Sequence, residues 1–394
     1  MNGSIDFSLC DGVTQTKVYA TSEVYLLTRC GWLMTSSVET DSSSAIARLA
    51  ARHLNLPAGE LYVERLTGDA STRSYFRAGS RGATVIVALY GAPFDETERA
   101  VERLTKAEAS NPAARLTFAN DPCAHIEVTG LLIAAGLPVP PVLATSGADA
   151  SMLIEDVGDI RLQDWLDGRP HSEVIDAYRH ALELVVRIQD ATEQALAADS
   201  ICSHLAFDEA KLRWELGFFF ANYFNKYLQI KLDPAVANAV RQDFKTLCSE
   251  LAARPRVLAH RDYHARNLMM RDGEMFIIDH QDARMGPAGY DVASLLSDPY
   301  TTLSQEVVID LIERFIEMKA GSKLPLPDIG EFRAELELMT VQRMLKAIGT
   351  YASQAAAGNS MYIPYIEPAR ERAVAAMKAL GRFDATHALL EATR

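Results

Sequence analysis

A dense run of ionisable residues between two apolar segments is the part of this sequence best suited to chemistry. The segment HRDYHARN contains Asp262 and Asn267, and Asp279 follows at the end of the apolar run MFII. Phosphoryl transfer needs a carboxylate that orients and deprotonates the attacking hydroxyl, together with oxygen ligands that hold Mg²⁺ against nucleotide phosphates. These three residues supply both kinds of group.

The order of these residues follows the kinase pattern H-R-D-L-x-x-x-N and then D-F-G. Tyr263 replaces the leucine of the first element, and the second element reads Asp279-His280-Gln281. Only the aspartate of the second element is essential to the metal chemistry, so this departure argues against a protein kinase more than against a kinase. Because the loop, the following strand and its terminal aspartate occur together in order, a functional interpretation is favoured over an incidental charged turn.

The segment HRDYHARNLM…IIDHQDARMGPAGYDVASLL resembles the aminoglycoside phosphotransferase/choline kinase-like family. More narrowly, GDASTRSYFR, LRWELGFFFANYF and VQRMLKAIGTYA resemble the anomeric N-acetylmuramate/N-acetylglucosamine kinases of cell-wall recycling. The likeness covers roughly residues 45–380. It implies an α+β, protein-kinase-like fold with a small antiparallel β-rich N-lobe and a larger, mainly helical C-lobe.

The resemblance also implies a role for each residue of the charged segment. Asp262 becomes the catalytic base, Asn267 and Asp279 become Mg²⁺ ligands, and ATP becomes the phosphoryl donor. His260 is expected to support the loop. Asp291 either caps the following helix or braces the catalytic loop, and both roles are structural.

A nucleotide site is expected around LTGDASTRSYF, between two strand-like segments. Gly68 permits backbone conformations closed to other residues, and Ser71 and Thr72 offer hydroxyl and amide donors to phosphate oxygens. An ordinary hairpin turn would show the same single glycine, but the position ahead of the catalytic segment favours a phosphate-covering loop. LIEDVG resembles the hinge between the lobes, where backbone groups of Glu155 and Val157 would contact the adenine edge.

One part of the kinase pattern is missing from this chain. ATVIVALYG has no lysine where V-A-I-K places the residue that pairs with the α- and β-phosphates. Glu127 could be the helix carboxylate that pairs with this lysine in protein kinases, but the lysine itself is absent. Arg73 and Arg77 are the nearest cations whose guanidinium groups could bind phosphate through two hydrogen bonds. Two solvated arginines at strand ends would give the same sequence pattern.

Two helical segments are candidates for the acceptor side of the site. In LRWELGFFFANYF, Arg213 and Glu215 interrupt an aromatic stripe of the kind that usually lies in a core. In VQRMLKAIGTYA, Gln342, Arg343 and Lys346 interrupt an apolar helix, and the last two are spaced to share a face. A solvated face explains this trio equally well from the pattern alone, whereas the resemblance favours a sugar pocket.

Charge helps to separate the possible acceptors. A polycationic aminoglycoside would prefer several carboxylates, whereas the lactyl carboxylate of N-acetylmuramate suits arginine or lysine. The mixed lining favours the acetylated sugar, and an anomeric hydroxyl is acidic enough for an aspartate of modest basicity. The alternatives are an aminoglycoside or other small-alcohol kinase and a nucleotide-binding pseudokinase module, which only the absent lysine supports.

Apolar periodicity predicts the elements that position these residues. ELYVERLT, SYFRAG, ATVIVALYG and SMLIEDVGD read as strands. Helical patterns cover residues 45–56, 96–108, 124–135, 173–197, 208–228, 234–251, 305–319, 329–353 and 367–380. We therefore expect an N-lobe over residues 45–155, a C-lobe with the catalytic loop and acceptor site over 156–394, and a flexible extension over 1–44. Within that extension Met34 is an alternative start.

Composition limits the partners that we expect. The chain has 394 residues and a formal net charge of −13, without a basic run that could follow nucleic acid. No apolar run reaches the roughly 20 residues that span a bilayer, and no secretory signal is evident. The sequence predicts a cytoplasmic protein that binds a small sugar, with no nucleic-acid, membrane or obligate protein partner. Its five cysteines are scattered singly, which predicts reduced thiols: Cys10, Cys30, Cys123, Cys202 and Cys248.

Overall fold

Five antiparallel strands form the sheet of the N-terminal lobe in the computed structural model, which describes residues 38–66, 73–80, 82–118 and 121–394. The spatial order is β1-β2-β3-β5-β4, so the hairpin of β4 and β5 joins the sheet beside β3. The strands are β1 (Tyr62–Leu66), β2 (Ser74–Ser80), β3 (Ala83–Leu89), β4 (Val142–Ser146) and β5 (Ser151–Glu155).

Alternation along β3 gives the sheet two apolar faces. Val85 and Val87 pack with Ile46 of helix α1 (Val38–Leu54) in a separate small core on one face. Ile86, between them in sequence, packs on the main core, as a side-chain period of two requires. Helix α1 begins seven residues before the helical pattern at residue 45, so residues 38–44 of the expected extension are helical.

Three helices follow β3 before the β4–β5 hairpin. The third helix has a well-formed N-cap. The side chain of Asp121 accepts hydrogen bonds from Cys123 N and Ala124 N, and Pro122 occupies the first turn. These helices are α2 (Ala100–Ser110), α3 (Ala114–Thr117) and α4 (Pro122–Ala134).

The rest of the chain is mainly helical, as the sequence predicts. Its α-helices are α5 (Leu162–Trp165), α6 (His171–Asp190), α7 (Thr192–Ala197), α8 (Ile201–His204), α9 (Glu209–Phe220), α10 (Pro234–Ala252), α11 (Gly289–Leu296), α12 (Gln305–Ala320), α13 (Ile329–Ala356), α14 (Ile366–Leu380) and α15 (Asp384–Ala392). The pattern at 208–228 proves to be two elements, since α9 continues as the π-helix Ala221–Tyr227. The pattern at 173–197 is likewise divided between α6 and α7.

Helices α9 and α13 approach each other closely at one glycine. A Cβ atom on Gly349 would lie 2.6 Å from the Cα atom of Phe219, a separation that real side chains do not reach. Glycine therefore allows the two backbones to pack directly. This contact brings the polar residues of α9 and α13 within reach of one another.

Short strand pairs hold the charged segment on the C-terminal lobe. Strand β6 (Val257–Ala259) pairs with β9 (Arg284–Gly286), and β7 (Leu268–Arg271) pairs with β8 (Glu274–Ile277). The residues from His260 to Asn267 and from Ile278 to Ala283 are the connections between these strands. Both connections therefore emerge on the same side of the lobe, where the candidate site is found.

Two predictions from composition can be examined in the described part of the chain. None of its helices combines the length and hydropathy needed to cross a bilayer. Cys123, Cys202 and Cys248 are buried free thiols, as the scattered spacing predicts. Cys10 and Cys30 lie outside the described residues, as do most of the expected extension and Met34.

Candidate active site

The backbone of the HRDYHARN loop is held by one buried carboxylate. Asp291 Oδ2 accepts a hydrogen bond of 2.7 Å from His260 N, and its Oδ1 accepts one of 3.1 Å from Arg261 N. Arg261 has a φ of 88°, a conformation that costs energy for a non-glycine residue and needs support from its surroundings. His260 Nε2 donates to Ile278 O at 2.9 Å. Of the two roles expected for Asp291, the structure shows the brace of the catalytic loop.

Asp262, the next residue, presents its carboxylate at the edge of the lobe with 24 % of the side chain exposed. Its Oδ1 accepts hydrogen bonds from Lys346 Nζ at 2.7 Å and from Arg343 Nη1 at 3.3 Å. Burial alone would raise the pKa of this carboxyl, but the charges of Lys346 and Arg261 hold the pKa well below its usual range. Asp262 is therefore ionised and able to accept a hydrogen bond from a hydroxyl.

Helix α13 supplies the two cations that contact Asp262. Arg343 is also fixed by Tyr290 Oη at 2.9 Å and by Ser294 Oγ at 2.8 Å, both on α11. For Lys346, burial followed by the charge of Arg343 lowers the pKa of the ammonium to about 8. The predicted shared face of Arg343 and Lys346 is thus directed at the catalytic loop.

Gln342 and Glu215 lie behind this face and are buried completely. Gln342 Nε2 donates to Glu215 Oε2 at 2.8 Å, and Lys211 Nζ lies 3.4 Å from Glu215 Oε1. The ionised Glu215 can only accept, so it fixes the orientation of the Gln342 amide. Arg213 is not brought to the site, because it pairs with Glu209 at 3.2 Å along the same helix.

The ion pairs around Asp262 form one connected network with an excess of positive charge. Asp282 pairs with both Arg261 and Arg284, and Arg261 Nη1 lies 3.6 Å from Asp262 Oδ2. With Arg343 and Lys346 the network contains four cations and two carboxylates. Counting the neighbouring Asp291 and the Lys211–Glu215 pair gives five cations and four carboxylates, which still leaves one cation in excess. An anionic or strongly polar ligand would be favoured beside Asp262.

Asn267 and Asp279 lie next to each other on the other side of the loop. Asn267 O accepts a hydrogen bond of 3.0 Å from Ile278 N, the neighbour of Asp279 in sequence. Asn267 Nδ2 donates to Asp262 O at 2.8 Å, which leaves Oδ1 as the remaining side-chain acceptor. Asp279 has a φ of 60° and a side chain that is 41 % exposed. The loop therefore presents one carboxylate and one amide oxygen beside Asp262.

The residues expected to bind nucleotide occupy different environments. Arg73 is buried and its Nη2 lies 3.2 Å from Asp279 Oδ1, whereas Arg77 pairs with Asp156 at 2.7 Å and with Asp159 at 2.7 Å. Only Arg73 therefore joins the group around Asp279.

The hinge segment and the phosphate loop complete the expected nucleotide side. Glu155 ends β5 and pairs with Arg271 at 2.8 Å, and its N donates to Pro141 O. Val157 packs in a small apolar cluster beside the hinge. The remaining three expected contacts lie outside the described residues: Gly68, Ser71 and Thr72.

Comparison with known proteins decides the family of this chain. A family model described as "Phosphotransferase enzyme family" matches residues 63–325, which include the whole charged segment. The chain belongs to the phosphotransferase enzyme family. This result confirms the resemblance stated for the catalytic segment.

Individual relatives of this phosphotransferase are named N-acetylmuramate/N-acetylglucosamine kinase. The Pseudomonas aeruginosa protein is 31% identical over 228 residues, which cover 58% of this chain and 64% of that protein. A Neisseria meningitidis protein is 42% identical over 113 residues, covering 28% of this chain and 34% of that protein. The Caulobacter vibrioides protein is 28% identical over 331 residues, covering 81% of this chain and 87% of its own. The chain thus spans less than two thirds of the first two relatives.

Solved structures show the same fold at much lower identity. A choline kinase from Cryptosporidium parvum superposes with a TM-score of 0.55 at 12% identity, over 86% of this chain and 94% of that one. A choline kinase from Streptococcus pneumoniae gives a TM-score of 0.53 at 14% identity, over 87% and 100%. These matches confirm the predicted two-lobed, protein-kinase-like α+β fold.

The phosphotransferase also contains a buried polar network that the sequence interpretation missed. Tyr90 Oη lies 2.8 Å from His125 Nδ1, and Thr129 Oγ1 lies 2.7 Å from His280 Nε2. The rings of His125 and His280 meet edge to face at a centroid distance of 5.5 Å. Helix α4 is thereby docked on the residue that follows Asp279. The only sequence signal was two histidines within apolar segments.

Glu127, the expected helix carboxylate, does not join this network. Its Oε1 accepts a hydrogen bond of 2.5 Å from Ile201 N, at the start of α8. Burial lowers the pKa of His125 to about 3 and the pKa of His280 well below its usual value, so both rings are neutral. Both histidines are therefore uncharged groups between α4 and the segment that contains Asp279.

Proposed function

We propose that this phosphotransferase is an ATP-dependent kinase that phosphorylates the anomeric hydroxyl of N-acetylmuramate or N-acetylglucosamine in the recycling of cell-wall sugars. The observation that carries the proposal is the carboxylate of Asp262, held by Lys346 and Arg343 and lying beside Asn267 and Asp279. The names of the relatives support the choice of acceptor. An ATP-dependent reaction also fits the cytoplasmic location that the sequence predicts.

In the proposed reaction Asp262 orients the acceptor hydroxyl and takes its proton. As the hydroxyl oxygen bonds to the γ-phosphorus, the bond from that phosphorus to the bridging oxygen breaks and ADP leaves. The lowered pKa of Asp262 makes the carboxylate a weak base. A weak base suits an anomeric hydroxyl, which is more acidic than an ordinary alcohol, and this match favours phosphorylation at C1.

Asp279 and Asn267 fit the ligand chemistry of Mg²⁺. Magnesium prefers oxygen ligands and is often held by one or two protein groups together with phosphate oxygens. Within the described residues no cluster of three or more histidine, cysteine, aspartate or glutamate side chains could hold a metal by itself, which agrees with a site completed by the nucleotide. When bound there, Mg²⁺ would neutralise charge on the phosphates. Asp279 and Asn267 would hold it against the donor.

The positive network beside Asp262 favours a sugar with a carboxylate over a polycation. Of the cations that contact Asp262, Lys346 lies nearest to its carboxylate. We propose that it attracts the lactyl carboxylate of N-acetylmuramate. An aminoglycoside would add several positive charges to a group that already carries an excess, which disfavours that alternative.

The test of this function is acceptor-dependent release of ADP, measured over N-acetylmuramate, N-acetylglucosamine, an aminoglycoside and choline. We expect turnover with the two acetylated sugars and a product that acid hydrolyses rapidly, as it does other glycosyl phosphates. Turnover with the aminoglycoside or choline alone would refute the acceptor. If MgATP binds but none of these acceptors is phosphorylated, the pseudokinase alternative gains support.

Replacing Asp279 by asparagine should weaken nucleotide binding only when magnesium is present. The variant keeps the side-chain shape but loses the charge of a metal ligand, and we expect affinity for MgATP to fall by about 10-fold or more. Calorimetric titration with ATP, in magnesium and in excess chelator, measures the effect. Affinity in chelator serves as the control and should change little. An unaltered magnesium requirement would exclude Asp279 as a ligand.

The preference between the two sugars should depend on pH. Below about pH 8 the ammonium of Lys346 is charged and attracts the lactyl carboxylate, and above that pH the attraction is lost. We therefore expect the ratio of kcat/KM for N-acetylmuramate to that for N-acetylglucosamine to fall about 10-fold or more between pH 7 and 9.5. Lys346→Arg, whose charge persists, should keep the ratio constant. A ratio that is flat in the wild-type protein would contradict the assignment.

A further inference from the structure

The missing strand lysine leaves open which cation would hold the phosphates. Strand β3 (Ala83–Leu89) contains no lysine or arginine. At the start of β2, however, the side chain of Arg73 is only 4 % exposed and reaches Asp279 across 206 residues of sequence. This contact places a guanidinium at the same carboxylate that is proposed to bind the metal.

Aromatic residues lie beside Arg73 in addition to Asp279. Its guanidinium lies 5.7 Å from the centroid of the Tyr75 ring, and the side chain of Tyr90 lies close to it. The Tyr90 hydroxyl lies 2.8 Å from His125 Nδ1 and also donates to Met152 Sδ at 3.8 Å, so it is fixed from two sides. Tyr90 therefore connects the surroundings of Arg73 to His125 on helix α4.

We infer that Arg73 takes the place of the strand lysine and binds the nucleotide phosphates, with Tyr90 and His125 as its positioning residues. The inference rests on the proposed function only in requiring that ATP binds. A planar guanidinium suits two phosphate oxygens at once. When the nucleotide is bound, Asp279 would hold the metal and Arg73 would donate to the phosphates. The ion pair between Arg73 and Asp279 would then be replaced by contacts of each residue with the ligand.

The same arrangement explains why Arg77 is not the phosphate ligand. Its guanidinium is held by the carboxylates of Asp156 and Asp159, on the segment that follows β5. Those hydrogen bonds raise the pKa of Arg77 further above its ordinary value. Arg77 therefore ties the sheet to the hinge, and it offers a matched control: a second arginine on the same strand.

The experiment compares the binding of ATP, ADP and adenosine to Arg73→Met and Arg77→Met by calorimetry, with and without Mg²⁺. For Arg73→Met we expect affinity for ATP and ADP to fall about 10- to 100-fold, the loss of a charge-assisted hydrogen bond, while adenosine binds as in the wild type. Arg77→Met should change the three affinities equally or not at all. Arg73→Lys should restore part of the loss, since it keeps the charge but not the fork.

Four further outcomes separate this inference from its alternatives. If Arg73→Met binds ATP as the wild type does, Arg73 is not a phosphate ligand, although the kinase activity can stand. If adenosine affinity falls as much as ATP affinity, Arg73 is structural only and the inference is overturned. Tyr90→Phe should lower ATP affinity severalfold and leave adenosine affinity unchanged, and an unchanged ATP affinity would remove Tyr90 from the positioning role. Wild-type protein that binds no ATP would instead refute the proposed function.

Discussion

Asp262→Asn should lower turnover by roughly 10²- to 10⁴-fold while MgATP still binds, because the variant can no longer accept the proton of the acceptor hydroxyl. The side chain keeps its shape, and Asn267 Nδ2 bonds to the backbone oxygen of residue 262, which the substitution leaves intact. Single-turnover measurement of sugar phosphate formation gives the chemical step directly. Turnover near the wild-type value in a folded variant would remove Asp262 from the mechanism.

The control for this substitution must address charge as well as shape. Asp262 is one of two carboxylates in a network with four cations, so its neutralisation leaves Lys346, Arg343 and Arg261 with less compensation. We therefore expect a lower Tm for Asp262→Asn, and a smaller decrease at high salt. Equal affinities of variant and wild type for MgATP would show that the loss of turnover is chemical and not a consequence of unfolding.

The sequence predicts that Asp262, Asn267 and Asp279 lie together, because they are close in sequence. Asp262 and Asn267 are five residues apart on one loop, and a single strand pair separates them from Asp279. Strand alternation likewise predicts β1, β2, β3 and β5 of the sheet. Strand β4 (Val142–Ser146) was missed, since the five residues VLATS after a proline-rich turn give too short a pattern.

The partners of the charged side chains could not be predicted, because they are distant in sequence. Nothing in periodicity relates Arg73 to Asp279, or Gln342 to Glu215 across 127 residues. The sequence does, however, indicate that Arg213 and Glu215 have different partners. Arg213 and Glu215 are two positions apart on a helix and cannot face the same way. The structure accordingly directs Glu215 to Gln342 and Arg213 to Glu209.

Burial also changes the interpretation of two residues that the sequence placed in the acceptor site. Gln342 and Glu215 are fully buried, so in this conformation they support the network from behind instead of lining the surface. Glu215 supplies negative charge near Lys346 and Arg261. Burial would raise its pKa, but the charges of Lys211, Lys346 and Arg261 together lower the pKa to about 2. Of the residues predicted for the acceptor side, direct contact with the sugar is therefore proposed for Lys346 and Arg343.

Reversing the charge of Lys346 should have its largest effect on N-acetylmuramate. In Lys346→Glu the lactyl carboxylate would meet a negative charge where we propose an ammonium. We expect its KM to rise at least about 10- to 100-fold, the loss of a charge-assisted hydrogen bond worth about 1.5–3 kcal/mol. The KM for ATP should change little, and N-acetylglucosamine, which has no carboxylate, should be affected less. Steady-state kinetics with both sugars measures the difference.

Two further variants distinguish recognition of the carboxylate from support of the base. Lys346 also holds Asp262 Oδ1, so a purely supporting role would lower kcat equally for both sugars and leave their ratio unchanged. Lys346→Met removes the charge without adding repulsion, and its effect on the ratio should fall between wild type and Lys346→Glu. Lys378→Glu, at an exposed lysine that pairs with Glu391, is the control for charge reversal elsewhere. Equal effects of Lys346→Glu on both sugars would show that the carboxylate is recognised elsewhere.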